Sequence, residues 1–157
     1  MKIRWLTQVF SVVLCNIIFF CCAVEAVNPA SGYTPLIGEK AAETAVAMIG
    51  MPYKYRGESP KGFDCSGLVR YCFLAAGLDA PHGTKALKSV TRPVSFEDIW
   101  EGDLLFFNER GRGSSHVGIF LSGDLFVHAP SSGGQVRTDS LNDPHWEKSF
   151  VEARRFL

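Results

Sequence analysis

Two periodicities divide the chain. In residues 41–49, Ala41, Ala42, Ala45, Val46, Met48 and Ile49 recur at helical spacing, with Glu39 and Glu43 near the start and Gly50 then Pro52 at the end. Cys65, Leu68, Val69, Cys72, Phe73 and Ala76 repeat that spacing until Gly77 stops it, so a second helix is predicted to begin at Cys65. From residue 103 onward the pattern changes to strands, expected at 104–107, 116–120 and 124–129 with Gly-rich turns between them, then at 135–138 and 151–156. Residues 78–99, interrupted by Pro81, Gly83 and Pro93, leave room for one short helix around 85–90. Helices first and strands afterwards predict an α+β domain, with N-terminal helices packed on an antiparallel sheet.

The first 26 residues read differently. Lys2 and Arg4 precede an apolar run over residues 9–24, and Val24-Glu25-Ala26 supplies small residues at alternate positions, the pattern of an export signal cleaved after Ala26. A retained membrane helix is disfavoured by Asn16 within the run. A lipid anchor on Cys21 or Cys22 is disfavoured by Phe20 or Cys21 standing where a small residue belongs. Residues 27–36, with Pro29, Gly32 and Pro35, read as a linker, and 37–157 as the domain. The protein is therefore expected in the periplasm or cell envelope, or secreted, with no stable membrane insertion after cleavage.

Cleavage removes Lys2, Arg4 and Glu25, leaving 14 basic and 15 acidic residues, a balance that implies no nucleic-acid partner. It also removes Cys15, Cys21 and Cys22, so Cys65 and Cys72 are the two thiols left. Seven residues along one helix is about 10 Å of rise, beyond the roughly 7 Å limit between bridged Cα atoms, so both are expected as free thiols. The same separation keeps them from sharing a zinc ion with bonds near 2.3 Å, and no metal or other cofactor is expected.

Asp64-Cys65-Ser66-Gly67 sets a cysteine in the first turn of a helix, where unpaired N–H groups favour a thiolate. Lowering a thiol from about 8.5 to about 7 takes roughly 2 kcal/mol, and a helix terminus supplies about 0.3–1, so a nearby imidazolium is required. Cys72, in mid-helix, reads as a core residue. Of His82, His116, His128 and His145, the pair His116 and His128 falls in adjacent strands. A three-residue turn over 121–123 would put Phe120 opposite Asp124 and His116 opposite His128, both imidazoles on one face. Val117, Ile119, Leu125, Val127 and Ala129 would then face the core, and Gly118 would admit the start of the cysteine helix. His82 and His145 read as structural. No Gly-x-Ser-x-Gly elbow points to a serine nucleophile.

Ordered blocks of the chain resemble the NlpC family of bacterial cell-wall cysteine peptidases. They are Met51-Pro52-Tyr53-Lys54-Tyr55, Gly62-Phe63-Asp64-Cys65-Ser66-Gly67-Leu68-Val69, Gly102-Asp103-Leu104-Leu105-Phe106-Phe107, His116-Val117-Gly118-Ile119-Phe120, Val127-His128-Ala129 and Ala153-Arg154-Arg155. The resemblance covers roughly residues 41–156. It implies a papain-like fold acting on peptidoglycan stem peptides, at the bond between γ-D-glutamate and a diamino acid; a monomer is expected. It also implies that Cys65, His116 and His128 match the family's catalytic cysteine, histidine and third polar residue. Tyr53 falls where the family has a tyrosine near the oxyanion. Asp64 and Ser66 fall where some members recognise the substrate's amino end, although Asp64 also reads as a helix cap. Two departures bear on specificity: Arg56 stands where the family often has glycine, and Ala80-Pro81-His82-Gly83 replaces a common Leu-Pro-Arg pattern. An amidase or acyltransferase using the same cysteine and histidine, and a non-catalytic wall-binding module, are the alternatives.

Overall fold

The computed structural model describes residues 32–109, 111, 113, 115–132 and 134–157; the expected export signal lies outside the described residues. The chain opens with α1 (Pro35–Ala47), a small hairpin of β1 (Glu58–Ser59) and β2 (Gly62–Phe63), α2 (Cys65–Ala75) and α3 (Thr84–Ser89). There follow β3 (Thr91–Val94), a 3-10 turn Phe96–Asp98, β4 (Leu104–Phe107), β5 (His116–Phe120), β6 (Leu125–His128), β7 (Arg137–Ser140), α4 (Pro144–Ser149) and β8 (Phe150–Phe156). Strands β3 to β8 form one antiparallel sheet in the order β3-β8-β4-β5-β6-β7.

The sheet is covered on both faces, which is why β4 reads as an unbroken apolar run, Leu-Leu-Phe-Phe. On one face Ala41, Ala42 and Ala45 of α1 and Leu68, Val69 and Phe73 of α2 pack on Leu104, Phe106, Val117, Ile119 and Val127. On the other, Leu105, Phe107, Phe120 and Phe126 pack against Trp146 of α4 and Ala153. Asp103 and Arg155 join the starts and ends of adjacent strands through a buried bidentate pair, Nε to Oδ1 and Nη2 to Oδ2, both 2.7 Å.

Several expectations need correction. Helix α1 starts at Pro35, before the apolar pattern begins, because Pro35 occupies its first turn after extended Thr34; residues 35 and 36 of the expected linker are thus helical. The β5–β6 turn is 122–124 rather than 121–123: Leu121 N–H donates to Leu125 O at 2.9 Å, and Ile119 and Phe120 pair with Val127 and Phe126. His128 therefore lies opposite Gly118 and diagonal to His116. The shift is two residues, so the faces survive and both histidines still share one. Leu125, at 41% exposure, leaves the expected core set. That histidine face is the one turned away from α1 and α2, and Gly118 admits the Phe126 ring, which would lie 2.6 Å from a Cβ there, instead of the cysteine helix. Strand β7 begins two residues later than expected. Pro93, read as a breaker, sits in edge strand β3, where a missing N–H costs nothing. Helix α4 was not anticipated; Asp143 caps it by accepting from His145 N–H at 2.8 Å, and Pro144 starts it.

Candidate active site

The start of α2 is pinned from three sides. Asp64 is its N-cap, with Oδ1 accepting from Gly67 N–H at 2.7 Å and from the Ser66 hydroxyl at 3.0 Å. Oδ2 accepts Arg56 N–H at 3.0 Å, and His82 Nε2 lies 2.9 and 3.1 Å from the two oxygens. Gly67 lets the backbone of Gly57 approach so closely that a Cβ would sit 1.9 Å from its carbonyl oxygen. These contacts hold partly buried Cys65 in a cleft lined also by Tyr53, Tyr55, Glu109 and His116.

Four of those contacts engage the two expected substrate residues, Asp64 and Ser66. Ser66 is buried and spends its hydroxyl on Asp64, and Asp64 is filled by donors from Gly67, Ser66, Arg56 and His82. Of the two departures from the family pattern, His82 engages this carboxylate with its ring, whereas Arg56 reaches it through its backbone N–H, which a glycine would supply equally, and its side chain is exposed. Tyr53 lines the same cleft as Cys65.

A line of hydrogen bonds runs inward from His116. Its Nε2 is 2.8 Å from His128 Nδ1, and His128 Nε2 is 3.0 Å from Asp139 Oδ2. Against the cost of burial, hydrogen bonds from Arg137, His128 and Trp146 hold the Asp139 carboxyl below its usual range. Burial pushes His128 down from its ordinary 6.5 to about 4, outweighing Asp139, so the ring is neutral at pH 7. Proton placement follows from these charges. An ionised Asp139 accepts from His128 Nε2–H, and the bare Nδ1 of His128 then accepts from His116 Nε2–H, an arrangement in which the uncharged form of His116 has its lone pair on Nδ1. That atom lies 3.3 Å from Glu109 Oε2, which would accept from it once it is protonated.

The thiol itself departs from expectation. Burial, then Asp64, push Cys65 up to about 11, against the pull of backbone N–H groups of Val117 and Ser66. At neutral pH it carries its proton, and the helix terminus alone does not ionise it. Cys72 is buried in mid-helix, its thiol pushed up by burial to about 12, and both cysteines are free. His82 binds Asp64, and His145 packs on Trp146 with Nε2 3.6 Å from Glu109. Among the described residues no group of three or more His, Cys, Asp or Glu is placed to hold a metal ion.

Asp139, Trp146 and Glu109 escaped the sequence reading. Asp139 is placed by the β6–β7 register, which sets Phe126 against Asp139 and His128 against Arg137, Trp146 by a helix that the apolar pattern does not mark, and Glu109 lies just past the end of β4, where its N–H donates to the Ser115 hydroxyl at 3.0 Å.

Residues 50–155 match the NlpC/P60 family. The chain belongs to that family. Over 148 residues it is 37% identical to the "Probable endopeptidase" of Haemophilus influenzae, covering 88% of this chain and 90% of that protein. Over 109 residues it is 38% identical to Murein DD-endopeptidase MepS/Murein LD-carboxypeptidase of Escherichia coli K12, covering 69% of this chain but 57% of that one. The crystal structure of the NlpC/p60 domain of peptidoglycan hydrolase SagA superposes with a TM-score of 0.66 at 34% identity, covering 76% of this chain and 98% of that one. The helices packed on an antiparallel sheet are the papain-like α+β arrangement of this family.

Proposed function

We infer that this NlpC/P60 protein is a peptidoglycan endopeptidase of the cell envelope, exported by residues 1–26, with Cys65 as nucleophile, His116 as its base and His128 orienting that base. The observation that carries the reading is the continuous line from His116 through His128 to Asp139 at the wall of the cleft that holds Cys65. Nδ1 of His116 takes the thiol proton as sulfur attacks the amide carbonyl, a transfer that a thiol near 11 requires. The tetrahedral oxyanion is met by the Tyr53 hydroxyl. The imidazolium then protonates the leaving amine, and water, deprotonated by His116, releases the acyl group from sulfur.

The substrate is a murein stem peptide. The bond expected from the resemblance is γ-D-glutamyl–diamino acid, and recognition of a free amino end by Asp64 would go with it. A second reading is a D,D cross-link, the bond in the name of MepS, and it is supported by the saturation of Asp64, whose lone pairs are taken by Arg56, His82, Ser66 and Gly67.

Incubation of purified protein with defined muropeptides, read by mass, tests both. A new amino terminus on the diamino acid within the stem supports the first, and separated stems ending in a D-alanine carboxylate support the second. A free lactyl carboxylate would reassign the protein as an amidase. Cys65→Ala is expected to lower turnover by at least about 10³-fold with the fold intact. Equal, negligible turnover of both forms would leave a wall-binding module.

A further inference from the structure

The family resemblance supplies three residues, whereas the structure shows a fourth group behind them. We propose that Asp139 is a positioning residue of the site: its carboxylate holds the Nε2–H tautomer of His128 and so keeps the lone pair of His116 on Nδ1, facing the cleft. This inference rests on the catalytic reading of Cys65 and His116.

The contacts on Asp139 are directional. Oδ2 accepts from His128 Nε2 at 3.0 Å, Trp146 Nε1 at 2.9 Å and Arg137 Nη2 at 2.9 Å, and Arg137 Nε lies 3.1 Å from both oxygens. An exposed pair of Asp139 with Arg137 alone would contribute little and would need no buried partners. Here two wholly or nearly buried groups, His128 and Trp146, aim their N–H at one oxygen. Trp146 ties the line together further, because its ring stacks on His116 at 5.5 Å and 27° and meets His128 edge-on at 4.8 Å and 84°.

The alternative tautomer shows what Asp139 prevents. With a proton on Nδ1, His128 would present a donor to His116 Nε2. His116 would then have to accept there and carry its own proton on Nδ1, where it could not take one from sulfur. The charged or titratable groups around this pair are Arg137 on β7, His116 on β5, His145 on α4, and Glu109 acting through His116. Asp139 is the anion in direct contact with His128 among the described residues.

Asp139→Asn removes the charge and leaves one accepting oxygen beside an NH2 that donates, so the donors from His128, Trp146 and Arg137 compete for a single weaker acceptor. It is expected to lower kcat about 10- to 100-fold with KM within about twofold. Nitrogen NMR of His128 reads the tautomer directly, in wild type and in a Cys65→Ala background. The expected signature is a proton on Nε2 with Asp139 present, and loss of that proton to Nδ1 in part of the population with asparagine. Trp146→Phe keeps the ring but removes one donor to Asp139, and is expected to show a smaller fall in kcat and faster exchange of the Nε2 proton. A wild-type His128 protonated on Nδ1 would overturn the proposal, and that measurement needs no variant to fold. So would a folded Asp139→Asn protein with kcat within twofold of wild type and an unchanged tautomer. If wild type turns over no muropeptide, the functional reading fails, while the NMR result still decides what Asp139 does to His128.

Discussion

Burial pushes the Cys65 thiol up to about 11, and that makes its pH behaviour diagnostic. Alkylation of Cys65 by iodoacetamide is expected to rise steadily from pH 7 to pH 10 in the free protein, with Cys72 inert. A plateau of reactivity near pH 5 would instead mean a preformed thiolate–imidazolium pair. His128 supplies a second residue-scale prediction. Its folded value of about 4 lies below its ordinary 6.5, so the unfolded chain binds more protons between those limits. The stability it contributes is full above pH 6.5, is lost as pH falls through 4, and amounts to on the order of 3 kcal/mol at about 1.36 kcal/mol per unit. Urea midpoints measured from pH 7 to pH 4 should fall accordingly, and should fall less steeply in His128→Gln.

At the scale of elements, the site depends on how closely neighbours approach two glycines. A methyl at residue 67 would meet the Gly57 carbonyl, which is backbone and cannot rotate away. Gly67→Ala is therefore expected to cost at least about 2 kcal/mol and to displace Cys65, seen as a lowered Tm together with lost activity. Gly118→Ala meets the Phe126 ring, which is buried against Phe107, Trp146 and His128, so it is expected to lower Tm and to disturb His128, which packs on that ring with centroids 4.9 Å apart. The sequence reading put Gly118 on the histidine face and was right about its need for space, but it chose the wrong occupant. A 121–123 turn makes Gly123 its third residue, the left-handed place; in the observed turn Gly123 is the middle residue, with φ +63°, and Leu125 N–H donates to Ser122 O at 3.0 Å. Local preference therefore favoured the other turn, and pairing along the β5–β6 ladder overrode it.

Across the whole molecule, the buried pair of Asp103 and Arg155 links β4 to the last strand, with Arg155 also lying over the Trp100 ring at 4.1 Å. Asp103→Ala strands a guanidinium in the interior and is expected to cost about 3–5 kcal/mol, read by chemical denaturation. The double variant Asp103→Ala/Arg155→Met should lose less than the single, because it leaves no unpaired charge.

The two main helices, the strands β4, β5 and β6, the start of α2 at Cys65, and the shared face of His116 and His128 were legible in the chain, because each follows from a period of 3.6 or 2 and from short-range capping, whereas the β1–β2 hairpin, β3 and α4 carry no such period. The side of the sheet on which the histidines lie, the turn that sets His128 opposite Gly118, and the arrival of Asp139, Trp146 and Glu109 were decided by tertiary structure. Those contacts join residues 7 to 11 apart, Glu109 with His116, Trp146 with Asp139 and His128 with Asp139, on different elements that no single period relates, and burial also pushes the Cys65 thiol up and the His128 imidazole down.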